Sequence, residues 1–243
     1  MRQLQFALCF FAFTLAQVDP IPASEPQDPL RLIDKALEAG GGIEKIGKFK
    51  AVSMQAKGKI YGFECAINGS FQGLEQVRLE VSTKDTVTTI YNRDKFWVKQ
   101  GSEPVQDLSN TDGTSIKHFF HALCLPDLLI TLKGKDYKLA RLDENQGNEK
   151  NAVGISVTHK NFKEVRLFFD KTSGLPIKSQ VKLIGLKGED WADLYFSDFK
   201  VIQGVKHFMR FTMRQGNQDV YEFEIKELKL LEQLDEKTFA KPE

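Results

Sequence analysis

From Phe49 onward, apolar side chains recur at every second position in short segments separated by Gly, Asn and Asp. Val77, Leu79 and Val81 alternate with Arg78 and Glu80, and Val165, Leu167 and Phe169 with Arg166 and Phe168. Met209, Phe211 and Met213 alternate with Arg210 and Thr212, and Tyr221, Phe223 and Ile225 with Glu222 and Glu224. Successive side chains of a strand point to opposite faces, so each segment predicts a strand with one dry face. Turn chemistry falls between them at Asn92 to Lys95, Asp170 to Gly174 and Gln215 to Asn217. This punctuation predicts a mainly β (α+β) fold with a curved antiparallel sheet of about ten to twelve strands.

The two-residue period is interrupted twice. Asp28 can cap a helix with Pro29 in its first turn, and Leu30, Ile33, Ala36 and Leu37 recur at helical spacing before Gly40, Gly41 and Gly42 end it. A second short turn over Ile43 to Ile46 leads into the sheet. Later, Ile116, Phe119, Phe120 and Leu123 fall at i, i+3, i+4 and i+7, and Pro126 breaks that stripe. Leu128, Leu129 and Leu132 then predict another short apolar helix, stopping near Gly134. A long sheet with one apolar face must bury it against helices, another sheet or itself. The helices are too few to cover it all, so a central helical lid over a curled sheet would leave room for an apolar ligand. A sheet whose own side chains fill the interior is the competing reading, and periodicity does not separate the two.

Met1 to Ala16 has the layout of an export signal: Arg2, an apolar run from Phe6, and small residues before Gln17. That run is too short to span a bilayer, and no later stretch approaches a membrane span. Residues 17–28 hold three prolines and read as an extended lead-in, leaving residues 29–243 as one domain. The chain carries 34 basic side chains, one of them Arg2, against 33 acidic. Once the signal is removed the balance is zero, which offers no global attraction to nucleic acid. Cys65 and Cys124 remain, either as a disulfide or as two buried thiols.

Signatures of chemistry are sparse. His118, His121 and Cys124 lie three apart, but they read as the rim of a helix with Cys124 packed on its apolar side, and no metal is expected. Asp34, Glu38 and Glu44, and Glu189 with Asp190 and Asp193, sit among Lys and polar neighbours as solvated charge. No Gly-x-Ser-x-Gly elbow or phosphate-binding glycine loop occurs. No catalytic residue and no cofactor is expected, and the chain reads as a binding protein. Its 19 Phe and two Trp, the latter in Phe96-Trp97-Val98 and in Trp191 to Phe196, would make walls for a hydrocarbon chain. The candidate cavity and lid residues are Val77, Leu79, Val81, Phe96, Trp97, Ile116, Phe119, Phe120, Leu123, Leu129, Val165, Leu167, Phe169, Leu194, Phe196, Met209, Phe211 and Phe223.

Three stretches carry a family resemblance. Leu32 to Lys57 runs from Leu-Ile-Asp-Lys-Ala-Leu-Glu-Ala-Gly-Gly-Gly into Lys48-Phe49-Lys50-Ala51-Val52. Val165 to Ser179 reads strand, turn and strand with a Gly-Leu-Pro step, and Phe196 to Gly204 precedes a strand and the Val220 to Leu230 segment. Together they resemble the outer-membrane lipoprotein-sorting (LolA-like) family of bacteria over nearly the whole mature chain. The resemblance implies an unclosed β-barrel over a helical lid, exported across the inner membrane and holding acyl chains in its cavity; a periplasmic, monomeric protein with a lipid or lipoprotein acyl chain as its partner is expected. A membrane exporter or receptor would be its partner, although no motif identifies one. The alternative on the same fold is a periplasmic sensor or protein-interaction module without lipid transport.

Overall fold

The computed structural model describes residues 28–109, 114–143, 151–160, 162–185, 188–216 and 218–243; the expected signal and most of the lead-in lie outside the described residues. Two helices open the described part of the chain, α1 (Pro29–Ala39) and α2 (Ile43–Lys48). A meander follows: β1 (Ala51–Ile60), β2 (Phe63–Gln72), β3 (Gln76–Ser82), β4 (Thr86–Asn92), β5 (Lys95–Gln100) and β6 (Gln106–Asp107). After α3 (Thr114–Leu123) and α4 (Leu125–Thr131) comes a second meander: β7 (Lys138–Arg141), β8 (Ala152–His159), β9 (Phe162–Asp170), β10 (Pro176–Gly185) and β11 (Gly188–Ser197). The ribbon β12 (Lys200–Ile202) and β13 (Val205–His207) precedes β14 (Arg210–Gln215) and β15 (Gln218–Leu231), and a 3-10 helix, Glu236–Phe239, follows.

Thirteen of these strands form one antiparallel sheet in the order β6-β5-β4-β3-β2-β1-β15-β14-β11-β10-β9-β8-β7. The sheet is curved and does not close, because β6 and β7 at its ends do not pair with each other. Its strand number exceeds the expected ten to twelve through short border strands of two and four residues. The fourteen-residue β15 joins the two meanders, pairing with β1 from Ala51↔Leu231 to Ile60↔Tyr221 and with β14 on its other side. Register shifts at Gln55/Ala56, Met213/Arg214 and Pro176/Lys178 mark bulges, which sharpen strand twist and so help the sheet curl.

Local chemistry sets the helices. The Asp28 carboxylate accepts a hydrogen bond from the Leu30 N–H at 3.0 Å, and Pro29 opens α1 as expected. Gly41, at φ 123°, ends it, and the Lys206 N–H donates to the Gly40 carbonyl at 2.8 Å, tying the helix end to β13. Pro126, read in sequence only as a break, sits in the first turn of α4, where its missing N–H costs nothing.

The helices cover the concave face. Leu32, Ile33 and Leu37 of α1, Ile46 of α2, and Leu125, Leu128 and Leu129 of α4 share one core with Ile155, Val165, Leu167, Phe169, Leu194 and Phe196. Phe120 of α3 and Cys124 belong to a second cluster with Phe71, Val77, Tyr91 and Phe96, at the other side of the sheet. Helix α3 also approaches β9 and β10, so it bridges the two walls.

The outer face is organised by charge over aromatic rings. Lys178, with a side chain only 2% exposed, contacts the Asp193 carboxylate at 2.9 Å and lies 5.0 Å from the Tyr195 ring centroid and 5.5 Å from that of Phe168. Trp191 is sandwiched here beneath Arg166 (4.2 Å) and Lys182 (5.2 Å). Across β3 and β4, the C-terminal segment is strapped down: Gln76 donates to Glu236 (2.9 Å), and Asn92 to the Phe239 carbonyl (3.1 Å). Phe239 is fully buried.

Two glycines make opposite predictions. A Cβ on Gly58 would lie 1.8 Å from the Glu222 carbonyl oxygen and 2.7 Å from Phe223, so the β1–β15 ladder would have to part. A Cβ on Gly47, inside α2, would meet nothing nearer than 4.0 Å. Gly58→Ala should lower stability by about 2–3 kcal/mol, and Gly47→Ala should raise it by about 0.5–1 kcal/mol, as read by urea unfolding.

Candidate functional site

A narrow cleft runs between the lid and the middle of the sheet. Its floor is built by alternation on β1 (Val52, Met54, Ala56), by Phe71 of β2 and Leu79 of β3, and by Phe211, Phe223, Ile225 and Leu230 of β14 and β15. The cross-strand pairs Val52↔Leu230, Ala56↔Ile225 and Phe211↔Phe223 keep these side chains on one face. Phe119 and Leu123 of α3, then Cys124, Pro126 and Asp127, form the roof, while Val205, His207 and Phe208 close one side. Gly69 faces the floor where a Cβ would come within 2.8 Å of both Met54 and Phe71. The cleft volume is about 60 Å³, enough for water but well below the ~300 Å³ at which ligand pockets begin.

Beyond Phe119 the same face continues into an open groove of about 710 Å³. Ile60, Val81, Val87 and Thr89 line it, with the β3–β4 turn at one side and Tyr221 at the other; Leu79, Phe119 and Phe223 border both spaces. Val81 and Val87 are cross-strand partners. Phe119 is held between the two by rings: Phe120 at 5.8 Å, Tyr221 at 5.9 Å and an edge contact to Phe211 at 6.1 Å. At the outer rim, Tyr61 and Gly62 take positive φ (48° and 83°), the backbone signature of a type I′ turn. That turn leaves Tyr61 57% and Phe63 73% exposed.

Polar groups in the cleft are few. Burial pushes the Asp127 carboxyl up to about 6, against the pull of the Lys50 ammonium. Burial holds the His207 imidazole below its ordinary value, and its Nδ1–H donates to the Phe208 carbonyl at 2.8 Å, so the ring is neutral near pH 7. Cys65 and Cys124, left open as a disulfide or two thiols, are free and buried. Burial raises both thiols, aided by Asp127 beside Cys124 and by Glu64 beside Cys65. Neither is therefore a ready nucleophile. Among the described residues no group of three or more His, Cys, Asp or Glu side chains is placed to hold a metal ion; the His118 side chain lies outside the described residues.

Of the residues singled out from sequence, Leu79, Phe119, Leu123, Phe211 and Phe223 line the cleft, and Val81 lines the groove. Val77, Phe96 and Phe120 pack behind the cleft in the second cluster, and Leu129, Val165, Leu167, Phe169, Leu194, Phe196 and Met209 in the main core. The Ile116 side chain lies outside the described residues. Trp97 is on the outer face: alternation sets it opposite Phe96, and its indole N–H donates to Asp107 at 3.2 Å. Trp191, also read as wall material, is on that face too, because it shares parity with Asp193 and Tyr195. Sequence reasoning missed the β1 row Val52, Met54 and Ala56, whose alternation with Ser53, Gln55 and Lys57 was the available signal. Asp127, Val205 and His207 carry no such signal, since only the tertiary fold brings them to the cleft.

Several solved structures share this architecture. A LolA superfamily protein from Nitrosomonas europaea aligns with a TM-score of 0.55 at 14% identity, over 89% of this chain and 99% of that one. A DUF1329 family protein from Desulfovibrio piger gives 0.57 at 12% identity, over 88% and 98%. A putative outer membrane lipoprotein-sorting protein domain from Vibrio parahaemolyticus gives 0.54 at 12%, over 87% and 95%. No protein-family model and no curated protein sequence matches the chain. The fold is LolA-like, and at these identities the likeness concerns the fold alone.

Asp127 makes the site sensitive to pH with a definite sign. An unfolded aspartate loses its proton near pH 4 and this folded one near 6, so the folded chain is destabilised as pH rises through that window. Asp127→Asn removes the penalty. The variant should gain about 1–2 kcal/mol over the parent at pH 7.5 and nothing near pH 4, measured by urea midpoints. An equal gain at both pH values would show that ionisation is not the cause.

Proposed function

We propose that this protein is an exported, periplasmic carrier that shelters an acyl chain, from a lipid or a lipoprotein, between its curved sheet and its α3–α4 lid. The observation that carries the reading is the oil-lined cleft beneath a lid made of two short helices, continuous with an open groove on the same face. Its walls present carbon almost throughout, a lining suited to sequestering hydrocarbon, and its polar members are few, Asp127 and a neutral His207 among them. The likeness to a lipoprotein-sorting domain supports the same reading, as do the signal-like residues 1–16.

Affinity in such a site comes from chain length. Each methylene taken from water contributes about 0.8 kcal/mol before ordering costs, with no directed polar contact required. The closed cleft is too small for a chain, so loading requires the lid to lift. The non-helical joint at Cys124 (φ −88°, ψ 45°) between α3 and α4, and Gly134 beyond α4, are the places where the backbone can turn.

Mild purification followed by native mass spectrometry should reveal a co-purified lipid mass. An empty protein that instead retains a polypeptide would favour an interaction module on the same fold. Leu123→Asp, which places a charge in the roof, should cut uptake of a fluorescent fatty acid by about tenfold or more while the β-type circular dichroism persists.

A further inference from the structure

The cleft under the lid and the groove outside it are two compartments of one surface, divided by a single side chain. Leu79 and Phe223 run through both as continuous floor, and Phe119 stands on that floor from above. The enclosed compartment measures about 60 Å³ and the open one about 710 Å³. Only the second falls in the ~300–1,000 Å³ range of ligand sites.

Resting on the carrier reading, we propose that the groove beside the β3–β4 turn is the portal and outer half of the binding site. It takes one end of a long acyl chain, and Phe119 is the plug that the chain displaces to reach the cleft. Three features support this occupant. The groove is continuous with the cleft through apolar side chains, so a hydrocarbon passing Phe119 meets no polar barrier. Its floor, Ile60, Val81 and Val87, is aliphatic and half-buried and gives methylenes an apolar surface, while Thr83, Lys84, Asp85 and Thr89 also line the groove. Phe119 is half-buried, at 5.8–6.1 Å from three rings that hold it by tilted and edge contacts, so a rotation exchanges ring contacts for chain contacts.

The proposal makes chain length the selected property. A short chain fits the groove alone, whereas a long one fills the groove and continues under the lid. Binding of cis-parinaric acid, an intrinsically fluorescent eighteen-carbon fatty acid, provides the measurement, with octanoic and hexadecanoic acids as competitors. Hexadecanoate should displace the probe at a concentration at least about tenfold below that needed for octanoate. Val87→Asp, which alters the groove but does not line the cleft, should weaken probe binding about tenfold. Phe119→Ala should accelerate probe association in stopped flow by about tenfold, and Phe119→Trp should slow it. If Val87→Asp fails to keep the parent's circular dichroism, Thr89→Glu on the same groove wall replaces it. Parent-like affinity in the folded groove variant, or an unchanged association rate in Phe119→Ala, would overturn the portal while leaving the carrier intact. Failure of the parent itself to bind the probe would remove both.

Discussion

A sheet that begins at β6 and stops at β7 without meeting itself has a concave face that nothing in the sheet can bury. Everything else in the molecule answers that constraint. Helices α1, α2 and α4 lay their leucines and isoleucines against β8 to β11, and α3 reaches across toward Phe71, Val77, Tyr91 and Phe96. The apolar area so removed from water, at roughly 25 cal/mol per Å², is the main force holding lid to sheet. It is also non-directional, so the seating of the lid rests on the area it covers and not on directed contacts.

The two halves of the interior are not equivalent. The main core joins three of the four helices to both meanders, with Ile33, Ile155, Leu167, Val181 and Leu194 fully buried. The second cluster is small, and the roof above it depends on α3 alone. A seam remains where the two cores meet, along β1 and β15, and the cleft follows it. Asp127 of α4 sits in the roof of that cleft, where burial raises its carboxyl to about 6, so covering it carries an electrostatic cost near pH 7 that a purely apolar roof would lack.

Sequence periodicity made the sheet, its dry face and both lid helices legible, because a strand's parity and a helix's stripe are local properties. The capping of α1 by Asp28 and Pro29 was legible for the same reason. The tryptophans show the limit. Aromatic character groups Trp97 with Phe96 as wall material, yet neighbours in a strand face opposite ways, and Phe96 takes the inner face. The wall was harder to see on β1, where Ser, Gln, Lys and Gly dilute the pattern around Val52, Met54 and Ala56. Strands of two or three residues, such as β6, β12 and β13, have no period to detect. His207 reaches the cleft only because the β12–β13 ribbon folds back beside α1, a long-range event with no local signature.

An unclosed barrel has two borders, and a bare strand at either one is a template on which another molecule can add its own strand. Here both borders end in stubs. β6 offers two residues, and Asp107 bends the chain away by accepting from the Ser109 N–H at 3.0 Å and from its hydroxyl at 2.6 Å. β7 offers four residues, two of them the cations Lys138 and Arg141. The opening of the shell is thereby framed by short, charged edges, features that disfavour addition of a strand from another molecule.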